Sequence, residues 1–88
     1  MKHVNVEFKD IKPLFSYQLR AILEKTEAEI AEVRNEIEEM SMELEVLGKE
    51  PSEDDMVVID LAAQFTASAI IIKYQIKAEL LNRIFELN

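Results

Sequence analysis

The chain has 88 residues, 49% of them apolar and 32% charged, with one Gly, two Pro and no Cys. That is enough for one small folded domain and excludes a two-domain or disordered protein. Eighteen acids against ten bases leave a net charge of −8, which argues against nucleic-acid backbones and anionic membranes as direct partners. The absence of Cys removes disulfide and thiol chemistry and suits a cytoplasmic protein; no signal-peptide run and no uncharged stretch long enough to span a bilayer is expected.

Residues 1–12 read as an extended arm. Val4, Val6 and Phe8 alternate with Asn5, Glu7 and Lys9, the period of a half-buried strand. The chain offers no second strand to pair with it. The segment therefore pairs with its twin across a dimer axis, adds to a partner's sheet edge, or packs as an arm over helices, and the sequence leaves these three open.

From Pro13 the pattern becomes helical, Pro being suited to a first helical position. A first helix over 13–47 carries Leu23, Ile30, Ile37 and Leu44 at heptad position a, with Leu19, Thr26, Val33, Met40 and Leu47 at d, so that eight of nine seam positions are apolar. Paired in parallel with itself, this helix would set Glu29, Glu36 and Glu43 against Glu27, Arg34 and Ser41. Only Glu29 with Arg34 attracts, so a different partner is favoured.

The break is Gly48-Lys49-Glu50-Pro51-Ser52. Gly belongs just past a helix end, and Ser52 with Asp55 approximates a capping box for the next helix. That second helix covers 53–87. Two helices of about 35 residues, each roughly 52 Å long, joined by a short polar turn, predict an all-α antiparallel hairpin spanning 13–88. Residues whose numbers add to about 100 would then be neighbours: Phe15 with Phe85, Leu19 with Leu81, Ile30 with Ile70, Val33 with Ala67 and Ile37 with Ala63.

The second helix is more apolar than one neighbour can cover. Asp60, Gln64, Ser68, Gln75, Glu79, Asn82 and Glu86 form one narrow polar stripe, and most of the remaining circumference is apolar. Ile70 to Ile72 also suit a strand, but no Gly or Pro punctuates 52–88. The surplus predicts self-association into a dimeric four-helix bundle with the second helix inside. The expected hairpin and dimer interface comprises Leu19, Leu23, Ile30, Val33, Ile37, Met40 and Leu44 on the first helix. On the second it comprises Ala63, Phe65, Ala67, Ile70, Ile72, Ile76, Leu80 and Ile84.

Charge is polarised along this hairpin. Residues 24–60 hold fourteen acids against three bases, a net −11, whereas residues 1–23 carry +2 and residues 61–88 carry +1. The turn end is acidic and the open end mildly basic.

Chemistry-bearing constellations are lacking. His3 is the only histidine and has no Glu-x-x-His companion, and no Ser or Thr has a histidine base in helical reach. One Gly cannot build a phosphate-cradling loop. No catalytic, metal or cofactor residue is assigned, and the expected function is non-enzymatic. The chain reads as a self-associating interaction module, a regulator, inhibitor or assembly factor that docks on a partner protein. Glu29, Glu32, Glu36, Glu38, Glu39, Glu43, Asp54 and Asp55 are the candidate docking surface, suited to a basic patch. Two alternatives stand beside it. Nine Glu between positions 24 and 45 approach the phosphate spacing of a DNA strand at about one per 3.5 Å, as in a nucleic-acid mimic that inhibits a DNA- or RNA-binding enzyme. The chain also suits a small structural subunit of a phage or other large assembly.

Overall fold

Two helix-favouring runs separated by one Gly-containing break fold into two helices. A computed structural model describes residues 11–87, Leu87 through its backbone alone. Helix α1 (Ser16–Leu47) and helix α2 (Glu53–Leu87) pack as an antiparallel hairpin, with no strand among the described residues. The alternating segment Val4 to Phe8 lies outside the described residues.

Helix α1 begins three residues later than Pro13 suggests. The Leu14 N–H donates to the Ile11 carbonyl at 3.1 Å, closing a turn that contains Pro13. The Phe15 N–H donates to Gln18 Oε1 at 2.8 Å, so a side chain in the first turn reaches back to the residue before the helix. This turn brings Ile11, assigned above to the arm, into full burial.

The α1 end is set by Gly48, at φ 64 and ψ 30. Its N–H donates to the Glu45 carbonyl at 3.1 Å and the Lys49 N–H to the Leu44 carbonyl at 3.0 Å, the paired bonds by which a left-handed residue satisfies terminal carbonyls. Ser52 and Asp55 form the reciprocal cap expected for α2: Asp55 N–H donates to Ser52 Oγ at 3.1 Å and Ser52 N–H to Asp55 Oδ2 at 2.9 Å.

The expected register is close to the observed one, but α2 is rotated. Arg83 reaches Ser16 and Lys73 reaches Glu27, so facing residues have numbers adding to about 99 or 100. Leu81 and Phe85, expected opposite Leu19 and Phe15, are exposed, as is Phe15. Ala63 and Ala67 are exposed too, although they still border a groove with their expected neighbours Ile37 and Val33. The residues of α2 turned inward are Ile59, Ala62, Thr66 and Ala69, together with Ile72, Ile76 and Leu80, which the sequence also placed in the interface. The difference is one residue of phase, about 100° of rotation.

The core sits at the open end. Ile11, Leu19, Ile72 and Ile76 form one buried cluster, with Leu14, Ile22, Leu23 and Leu80 packed against it. Toward the turn, Ile30 and Ala69 are buried, while Val33, Ile37, Met40 and Leu44 are only half-buried and Leu47 is exposed. Each fully buried Leu or Ile contributes roughly 1.5–3 kcal/mol, so most of the packing energy lies in the half of the hairpin away from the turn.

A polar clamp closes that end. Arg83 Nε donates to Glu79 Oε2 at 3.0 Å, Nη1 to Ser16 Oγ at 3.1 Å and Nη2 to the Lys12 carbonyl at 3.0 Å. Glu79, placed by the sequence on a solvent stripe, is therefore buried, and Ser68 and Gln75 of the same stripe are half-buried.

Four substitutions test these features in chemical unfolding and circular dichroism. Gly48→Ala meets no atom within 4 Å but retains the positive φ, so it should lower stability by about 1 kcal/mol without loss of helix. Arg83→Ala should lower it by roughly 2 kcal/mol, because Glu79 then lacks its charged partner. Ala62→Glu places a charge in the seam and should unfold the hairpin, whereas Ala63→Glu should leave its helicity in place; equal loss from both would refute the observed phase.

Candidate interaction surface

The exposed side of α2 carries the apolar surplus. At 100° per residue, Met56, Ala63, Ala67, Ile70, Tyr74 and Leu81 fall in one sector about 60° wide, and Phe85 lies on its edge. Tyr74 is 63% exposed, Phe85 66% and Leu81 50%. Ile71 borders the sector at 59%. Between Leu61 and Ile72 the chain has no charged residue; Asp60 and Lys77 mark opposite edges of the face. Among the described residues, fourteen large apolar side chains are exposed and six apolar residues are buried. Nine of the fourteen lie on α2, and apolar residues gathered on one exposed helix are the usual mark of an interaction surface.

Two grooves flank the seam in the turn half. The larger, about 520 Å³, lies between α1 and α2 and adjoins the apolar face; Ala63, Ala67 and Ile70 belong to both. Arg34 and Glu38 stand on its α1 side. The smaller, about 250 Å³, opens on the other side, where Met40 of α1 meets Val58, Leu61 and Phe65 of α2. Ile37 and Ala62 line both. The grooves exist because Ala62, Ala63 and Ala67 are too short to fill the space beside Val33 and Ile37.

The interface residues expected from sequence therefore divide. Leu19, Leu23, Ile30, Val33, Ile37, Met40 and Leu44 all turn toward the seam, as do Ile72, Ile76 and Leu80. Phe65 and Ile70 are half-buried at its two sides. Ala63, Ala67 and Ile84 are exposed, although Ala63 and Ala67 still line a groove with Val33 and Ile37 of α1.

The acidic positions divide too. Glu32, Glu36, Glu38, Glu39, Glu43 and Asp54 are exposed. Asp55 is committed to the Ser52 cap, and Glu29 is half-buried and within 3.9 Å of Lys25 Nζ. Successive positions such as Glu36, Glu38 and Glu39 point in different directions around α1, so the row is a diffuse negative surface. Among the described residues no cluster of three or more His, Asp or Glu converges as metal ligands would.

Helix α2 is also long and apolar enough, by length and composition, to cross a membrane, its apolar window tolerating one or two charges, and little of that stretch is buried. Sequence reasoning noticed the surplus but not which sector stays open. The available signal was the sector itself, since Ala63, Ala67, Ile70, Tyr74 and Leu81 share it at helical spacing.

No protein-family model, curated protein or solved structure matches the chain.

Proposed function

We propose that the chain is a non-enzymatic protein-interaction module that self-associates through α2 and docks on a partner protein as a regulator, inhibitor or assembly factor. The observation that carries this reading is the outward face of α2, a continuous apolar surface centred on Ala67 and Tyr74. By ordinary side-chain areas that face amounts to several hundred Å² per copy, comparable to the roughly 800 Å² per partner of a standard interface. Two hairpins joined there form a four-helix bundle with α2 inside and α1 outside.

In such a bundle the exposed Glu32, Glu36, Glu38, Glu39 and Glu43 of α1 remain toward the solvent and form the surface available to a basic partner. The same row supports a second reading as a nucleic-acid mimic. Its scatter around the helix favours a general electrostatic contact over a copy of two phosphate ridges.

Light scattering at micromolar concentration should give at least twice the 10.2 kDa chain mass. Tyr74→Glu should reduce it to the single-chain mass while retaining helicity. A wild-type chain that is strictly monomeric would remove the reading. Partner docking is tested by replacing Glu36, Glu38, Glu39 and Glu43 with Gln: capture from lysate should weaken, and a mimic's contact should also fall steeply with added salt. Unchanged capture would leave the acidic row a solubilising role only.

A further inference from the structure

The outward face of α2 and the charge along the hairpin together specify how a second copy sits. We propose that the second copy docks antiparallel to the first, α2 against α2, with the acidic turn of each hairpin beside the basic open end of the other. This rests on the self-association reading and adds its geometry.

Size matching is the first argument. The small residues of the face, Ala63 and Ala67, lie in its turn-side half beside the groove of about 520 Å³. The exposed Tyr74 and Leu81 lie toward the open end. Tyr74 is seven residues from Ala67, roughly 10 Å along the helix. A parallel copy would stack Tyr74 on Tyr74 and leave Ala67 facing Ala67, a gap beside a clash. An antiparallel copy centred between Ala67 and Ile70 puts each Tyr74 over the other copy's Ala63, at the mouth of the groove. Both rings are then covered by one symmetric operation, as a two-fold dimer requires.

Charge is the second argument. Residues 24–60 carry −11, and the sequence on either side of them is net positive. A parallel pair would align the two −11 segments along their full length, whereas the antiparallel pair offsets them and brings the turn end of each beside Lys77 and its neighbours. In this arrangement Lys77 of one copy comes level with the α1 residues around Glu38, which stands on the groove's α1 side one turn beyond Arg34.

The chain contains no cysteine, so introduced thiols report contacts unambiguously. Met56→Cys and Leu81→Cys each alter a half-exposed side chain of the face, and circular dichroism confirms that each variant remains helical. The two positions are about 37 Å apart along α2, too far for one to substitute for the other. Under mild oxidation a mixture of the two variants should give a disulfide-linked dimer joining Cys at 56 to Cys at 81, and each variant alone should give at least tenfold less. Efficient self-linking of Met56→Cys alone would mean a parallel pair and overturn the proposal while leaving self-association in place. A chain that remains monomeric in light scattering, whether free or captured on phosphatidylcholine vesicles, would overturn both.

Discussion

A two-helix hairpin has one seam, and a seam covers only one side of each helix. For α1 this is nearly sufficient, because most of its larger apolar residues form one heptad stripe and only scattered ones such as Tyr17, Met42 and Val46 stay exposed. For α2 it is not. Turning Ile72 and Ile76 inward necessarily turns Ala67, Tyr74 and Leu81 outward, since no rotation of a helix apolar on several sides buries them all. The division of the molecule into a packed end and an open surface follows from that mismatch. Where the turn at Ile11–Leu14 adds a third wall, Leu19 and Ile76 reach full burial and Ile72 is buried beside them. Where only two helices meet, Ile37 and Met40 stay half-buried and grooves remain on both sides.

The same contrast explains which parts of the fold were legible in the sequence. The phase of α1 could be read because a wrong rotation would bury Glu residues, an outcome with a large penalty. The turn could be read because Gly48 and the Ser52–Asp55 pair have specific backbone roles. The phase of α2 was read only in part, because neighbouring apolar residues such as Ala62 and Ala63 are nearly interchangeable in burial energy. Rotating the helix by one residue exchanges one apolar stripe for another at small cost. What decides the rotation is the open end, where Arg83 and Glu79 must face Ser16 and the Lys12 carbonyl. A polar residue on the packed side of a helix gives no periodicity signal; its role appears only once its partners are in place. Ile11 was hidden for a related reason, because nothing local announces that a chain reverses just before a helix.

Charge reinforces the asymmetry. The turn half contains most of the acids and little buried apolar surface, so its helices repel each other more and hold each other less. The open half has the core, the Arg83 clamp and the Lys73–Glu27 pair at 3.8 Å. Local stability should thus fall from the open end toward Gly48. The proposed surface overlaps the weaker half, where Ala63 and the larger groove lie. Any occupant of that surface supplies burial where the isolated hairpin lacks it, coupling association to completion of the fold.

That coupling also bears on whether the occupant is protein or lipid. Inserting α2 across a bilayer would satisfy its length and composition, but α2 is held along its length by α1. Taking α1 with it would carry the −11 segment into hydrocarbon, at several kcal/mol per charge. Leaving α1 behind would separate Leu19 and Ile30 from the seam and strand Glu79 and Arg83 at the edge of the span. A protein surface covers the outward sector of α2 and leaves the seam intact, and a second α2 does so with a surface already matched in size and hydrophobicity. The proposed association through α2 thus keeps in place the residues that close the hairpin, which insertion of α2 alone would not.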